Sequence, residues 1–309
     1  MKVKKVLFPI VIFIGIFFLG YAFRDVTHTY IPGFLPTSTP ATPTLKETHC
    51  SNEKLYDNLD DALIEVNSTC KLDLSYQGLK TFPKEITKLS HLIELRLDDN
   101  QLTNLPAEIG NLKDLQILTI RNNLLTSLPP EIGNLVQLQV LSLRNNRIQQ
   151  IPKQIKYLKQ LKILGIRDNQ LYSLPAEIGS LTSLTDLYLG NNHLTTVPPE
   201  IANLSNLTTV SLADNMLSSL PPTFQKLTNL VILNIRNNQI SVFPKEISNL
   251  SNLKDVSLSN NPISTYPPEI SRLKKLQSIY LTNTHLSTRS IEEIKKIFPH
   301  AIVSTTDLE

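Results

Sequence analysis

The side chains able to do chemistry are few, and their spacing says more than their types. Six histidines stand at 28, 49, 91, 193, 285 and 300, and two cysteines at 50 and 70. Cys50 and Cys70 do not have the paired spacing of a zinc site. Neither a G-x-S-x-G elbow, a phosphate-binding loop nor a dinucleotide fingerprint occurs. Glu108, Glu131, Glu177, Glu200, Glu246 and Glu269 are a supply of carboxylates for acid–base work. They recur at one point of a repeating pattern, which suits a structural duty at the start of a turn on an outer face. No set of groups converges on one centre, so the reading is non-catalytic, with no cofactor and no metal. Arg121, Arg144 and Arg167, each 23 residues from the next, are a different resource: a row of cations for binding.

The elements that must position these residues follow from one period. Asn100, Asn123, Asn146, Asn169, Asn192, Asn215, Asn238 and Asn261 are all 23 residues apart, with Gln77 and Thr284 extending the series at its ends. Around Asn100 the apolar positions are Leu92, Leu95, Leu97, Leu102 and Leu105, then Pro106, Glu108, Ile109 and Leu112. Around Asn192 they are Leu184, Leu187, Leu189, Leu194 and Val197, then Pro198, Glu200, Ile201 and Leu204. Leu95 and Leu97 alternate with Glu94, Arg96 and Asp98, the period of a short strand with one buried face. The Asn amide both donates and accepts, so a buried column of Asn can satisfy backbone groups of neighbouring turns. Pro then Glu suits the start of a short helical turn. One such unit cannot bury its own apolar face; stacked copies can, with parallel strands about 4.8 Å apart.

The pattern L-x-x-L-x-L-x-x-N-x-L resembles the leucine-rich-repeat family over about 69–288, and the 23-residue unit with its P-x-E-I-x-x-L half is most similar to the Ras-group and bacterial short-repeat types. The resemblance implies an α/β solenoid: a curved parallel sheet on the concave side, and short helical or 3-10 turns on the convex side. It also implies a binding task and leaves the ligand open. The 52 leucines and 26 asparagines among 309 residues are what such a stack requires. His193 and His285 then fall four repeats apart, roughly 20 Å, too far to share a metal.

The remaining segments organise around this stack. Residues 1–5 carry Lys2, Lys4 and Lys5 and read as a cytoplasmic tail. Residues 6–23 are an uncharged apolar run, long enough for a signal-anchor; Gly20-Tyr21-Ala22 also permits a cleaved signal peptide and a secreted product. Either reading places the rest outside the cytoplasm, with the membrane a partner through residues 6–23. Residues 24–48 alternate Pro and Thr and form an extended linker. Residues 49–71 are the amino-terminal cap, 72–288 the solenoid and 289–309 the carboxy-terminal cap. Within the caps, Leu55 to Val66 is expected as an amphipathic helix and Ser290 to Phe298 as another, with Ile302-Val303 a last edge segment. Cys50 and Cys70 flank the first helix and are expected either as a disulfide or as two free thiols.

Charge and surface complete the expectation. Without Lys2, Lys4 and Lys5 the chain has 27 basic and 27 acidic residues, so no bulk attraction for nucleic acid exists. Asn67, Asn203, Asn206 and Asn249 match the glycosylation pattern, three of them in a form the repeat itself produces. On the concave face, Arg121, Arg144 and Arg167 line one column, with Arg236 further along. Thr119, Ser142, Gly165 and Tyr188 follow in the next column, and Ile117, Val140 and Ile163 in the third. This apolar strip edged by guanidinium groups suits a protein partner that is both acidic and apolar. Plain solubilising arginines, or a structural or adhesive protein binding a glycan or envelope polymer, are the competing readings.

Overall fold

The computed structural model describes residues 54–305. Twelve strands form one parallel sheet in sequence order. They are β1 (Leu55–Tyr56), β2 (Lys71–Asp73), β3 (Glu94–Arg96), β4 (Ile117–Thr119), β5 (Val140–Ser142), β6 (Ile163–Gly165), β7 (Asp186–Tyr188), β8 (Thr209–Ser211), β9 (Ile232–Asn234), β10 (Asp255–Ser257), β11 (Ser278–Tyr280) and β12 (Ile302–Ser304). Register is kept from strand to strand: Glu94 pairs with Ile117, Ile117 with Val140, Val140 with Ile163 and Ile163 with Asp186. The central residue of each strand points inward, so Leu95, Leu118, Leu141, Leu164 and Leu187 are fully buried.

Opposite the sheet, nine 3-10 turns stack on the convex side among the described residues, from Lys84–Lys88 to Pro268–Arg272. Pro106 takes the cap position of the turn Ala107–Asn111 with extended backbone, φ −75° and ψ 160°. Where two prolines occur, as in Pro129-Pro130, the second occupies the first helical position, where its missing N–H costs nothing. Glu108, Glu131, Glu177, Glu200, Glu246 and Glu269 all sit in the first turn of these segments. Their recurrence is structural, as their spacing implies. In the turn Ala107–Asn111, Ile109 and the cap residue Leu112 are fully buried in the core.

The asparagine column does what its chemistry allows. Asn146 donates to the carbonyls of Ile120, Leu143 and Arg144 at 2.8, 3.0 and 3.3 Å, and accepts from the Leu125 N–H at 3.0 Å. The same set recurs at Asn169, with Leu143, Ile166 and Arg167 as acceptors and the Ile148 N–H as donor. Each Asn therefore ties its own turn to the previous repeat, and each is buried. One residue earlier the backbone is left-handed every time: Asp99, Asn122, Asn145, Asp168, Asn191, Asp214, Asn237, Asn260 and Asn283 have φ between 52° and 57°. Asp and Asn accept this conformation better than other non-glycine residues.

The amino-terminal cap differs from the sequence expectation. Helix α1 spans Leu59–Ile64, shorter than the 55–66 expected. Leu55 and Tyr56 instead form β1, which pairs with Lys71 and Leu72. The cause is local: Asn58 accepts from the Asp60 and Asp61 backbone N–H groups and so starts the helix there. Leu59, Leu63 and Val66 pack on the core beside buried Ala62. Cys70 is buried and disulfide-bonded. At the other end, α2 (Thr288–Ile297) is capped by Ser287 and buries Ile294, and β12 adds the last strand. Cys50 and the sequence assignments for residues 1–5, 6–23 and 24–48 lie outside the described residues.

Candidate functional site

The sheet fixes where each expected site residue stands. Arg121, Arg144 and Arg167 follow the last residues of β4, β5 and β6 by two positions and form one column, since those strands pair in register. Arg236 occupies the same column three strands beyond Arg167, with Gly190 and Ala213 between. That separation is roughly 14 Å, so Arg236 does not join the other three.

Each of these arginines meets a carboxylate. Asp98 accepts from Arg121 Nε at 3.0 Å and Nη2 at 2.8 Å, and from the Thr119 hydroxyl at 3.1 Å. Arg236 Nη2 lies 3.7 Å from Asp214. Arg144 and Arg167 converge on one acid: Asp168 Oδ2 is 2.6 Å from Arg144 Nε and 3.6 Å from Arg167 Nε. Burial opposes ionisation of Asp168, but the Asn191 amide, Arg144 and Arg167 outweigh it and hold its carboxyl below its ordinary value. Both guanidinium groups thus approach the same carboxylate. The expected row of three cations is ion-paired along its length, Arg121 with Asp98 and both Arg144 and Arg167 with Asp168.

The apolar strip is present but thinner than expected. Ile117, Val140 and Ile163 are direct neighbours across β4, β5 and β6. Val140 and Ile163 are each only 9% exposed. Side chains at the same register on parallel strands touch edge to edge and cover one another, so little apolar area reaches solvent. Tyr188 is also mostly enclosed. Its hydroxyl donates to Asp186 at 3.3 Å, and burial together with that carboxylate raises its pKa well above the usual phenol range.

Between the two columns lies a recess. Gly165 has only Ser142 Oγ, at 3.8 Å, near the place a Cβ would occupy. Gly190 is by contrast buried, and a Cβ there would meet the Ala213 carbonyl oxygen at 3.4 Å and the Arg167 stem at 3.8 Å. Ser142, Gly165 and Tyr188 line the floor, and Arg144 and Arg167 stand at one side.

Two networks escaped the sequence reading. One is a ladder through the left-handed positions: Asn122 donates to Asp99 at 2.8 Å, Asn145 to Asn122 at 2.9 Å, Asn191 to Asp168 at 2.9 Å, Asn237 to Asp214 at 2.8 Å and Asn283 to Asn260 at 2.9 Å. The signal was available as Asp-Asn or Asn-Asn pairs at each period. The other is the Gln139–Gln116 amide contact at 2.9 Å, between the residues that precede Val140 and Ile117. Among the described residues no group of three or more His, Cys, Asp or Glu side chains is placed to hold a metal ion.

Comparison with known proteins adds three findings. A family model described as a leucine-rich repeat region matches residues 71–141, 130–193 and 186–294. Among solved structures, a leucine-rich-repeat protein of Leptospira interrogans is 30% identical over 82% of this chain and 100% of its own, at a TM-score of 0.34. A TDR receptor is 26% identical over 76% of this chain at a TM-score of 0.64, and the plant peptide hormone receptor RGFR1, solved in complex with RGF2, is 29% identical over 66% at 0.55. This chain spans 43% and 42% of those two receptors. No curated protein matches.

Proposed function

From the premise that this chain belongs to the leucine-rich-repeat family, we propose that it is a protein-binding module whose ligand, an acidic peptide segment of another protein, lies on the concave face over β5 to β7. The observation that carries the reading is the shared carboxylate. Arg144 and Arg167 both converge on Asp168 and stand beside the open floor at Ser142 and Gly165. A carboxylate entering that recess would meet the guanidinium pair, whose planar, forked donors suit carboxylates. Partial burial of both arginines strengthens such a contact relative to an open surface. The receptor RGFR1, a relative by fold and by 29% identity, was solved with a bound peptide hormone, which supports a peptide-sized occupant.

Display outside the cytoplasmic membrane on a Pro/Thr spacer is part of the proposal. It rests on the apolar run 6–23, the lysines before it and the composition of residues 24–48. The protein is a scaffold for recognition in this reading and performs no reaction of its own.

Selection of a random peptide library on the immobilised protein tests it. Enriched peptides should be rich in Asp and Glu and should bind at least tenfold more weakly to Arg144→Glu with Arg167→Glu, while the melting temperature of that double variant stays close to the parent. Equal binding by the double variant removes the concave assignment. Enrichment only on envelope polysaccharide would favour an adhesive role.

A further inference from the structure

Away from the concave sheet, where the chain returns from the 3-10 turns toward the strands, the flank carries a groove lined by Lys113, Gly133, Asn134, Val136, Tyr157 and Lys159. Tyr157 is 51% exposed and Val136 45%, unusual for large apolar side chains in a stack that hides its leucines. The electrostatics there are one-sided. Lys113 and Lys159 line the groove, and from Gly133 to Tyr157 the sequence has no carboxylate. Lys156 lies 5.2 Å from the centre of the Tyr157 ring. The groove is therefore an apolar seat with ammonium groups at its rim.

The complement to this seat is on the same chain. Helix α1 exposes Ile64 at 81%, the highest value of any large apolar side chain among the described residues. Around it stand Asp57, Asp60, Asp61 and Glu65, all exposed, with one cation, Lys54, bound to Glu65 at 3.3 Å. The helix start accounts for carboxylates at Asp60 and Asp61. It does not account for an isoleucine left in water beside them. α1 packs by the turn Lys84–Lys88, whereas the groove belongs to the turns from Ala107–Asn111 to Lys153–Tyr157. The in-register sheet holds the two apart within one chain, so they can meet only between copies.

We propose that the chain self-associates head to flank, the α1 cap of one copy placing Ile64 between Val136 and Tyr157 of the next, with the cap carboxylates facing Lys113, Lys156 and Lys159. The two patches differ, so the contact is heterologous: a joined pair keeps one free cap and one free groove, and the assembly grows as an open row. Burial of three apolar side chains gives a contact core, and the charge rim gives orientation and salt sensitivity. This surface is distinct from the concave recess, and the proposal stands independently of the ligand proposed there.

Sedimentation velocity of the full-length chain in non-ionic detergent tests it. In about 25 mM salt the average mass should rise with protein concentration, and in about 500 mM salt association should weaken at least tenfold, as screening removes the charge rim. Lys113→Glu with Lys159→Glu should stay monomeric at low salt, as should Asp60→Lys with Asp61→Lys. The chain with all four changes should associate again, because the complementarity is restored with its sign reversed. Ile64→Ser, at an exposed site that leaves folding alone, should weaken association at both salt levels. A wild-type chain that is monomeric throughout overturns the proposal. So does unchanged association in either charge-reversed pair, or a four-fold variant that fails to recover.

Discussion

At the residue scale the molecule depends on groups that serve two repeats at once. Asn192 donates to the carbonyls of Ile166, Leu189 and Gly190 and accepts from the Leu171 N–H. Asn192→Ala is expected to leave these buried groups unpaired and to cost about 2–4 kcal/mol in denaturant unfolding. Asp168 gives a pH signature. Its folded-state pKa lies below the unfolded one, so its contribution is present above the usual carboxylate range near about 4 and is lost as pH falls below it. Asp168→Asn keeps the left-handed turn, so its melting temperature should fall below the parent's at pH 7 and the gap should close under acid conditions; a gap that persists in acid would show that the charge is not the cause. The Asn column was legible in the sequence because one residue type recurs without exception over eight periods. The left-handed ladder beside it left a fainter signal, because Asp and Asn are mixed there and Tyr76 replaces both at the start. Arg167 beside Asp168 is legible as adjacent residues, whereas the pairing of Arg121 with Asp98 and of Arg144 with Asp168 was hidden, because those partners lie 23 and 24 residues apart and only the turn geometry brings them together.

At the element scale the short 3-10 turns pack closer than side chains normally permit. A Cβ on Gly133 would stand 2.5 Å from the Gln154 carbonyl oxygen of the next turn. Gly133→Ala should therefore destabilise by about 1–3 kcal/mol through overpacking, measured as a lowered melting temperature. Gly165→Ala is the contrasting case, because its nearest neighbour is 3.8 Å away. It should leave stability nearly unchanged and weaken peptide binding by filling the concave recess, and loss of stability without loss of binding would argue against that recess. Strands, turns and their order were readable from the apolar period, since every repeat enforces the same answer. The amino-terminal cap was not. Leu55, Leu59, Leu63 and Val66 fit a helical stripe, but the free edge of β2 claims Leu55 and Tyr56 for pairing, an interaction that local sequence does not encode.

At the scale of the whole molecule, stability is set by neighbours, so changes in phase with the period should be tolerated and changes at the ends should not. Deletion of residues 193–215 removes one complete period and leaves both ladders in phase; it should give a shorter folded chain with an unchanged far-ultraviolet dichroism shape per residue. Removal of 287–309 takes away α2 and β12, bares Ile279 and Leu281 at an open edge, and should produce aggregation visible by light scattering. The strand pairing has one more consequence. Successive strands repeat at about 4.8 Å, which makes the inner wall a comb of fixed pitch. A fully stretched peptide laid across it returns to the same face about every 7 Å, roughly one and a half teeth, and so falls between teeth at every other return. A left-handed polyproline-type coil, at about 3.1 Å per residue and three residues per turn, returns after about 9 Å, close to two teeth, and stays commensurate along the whole wall.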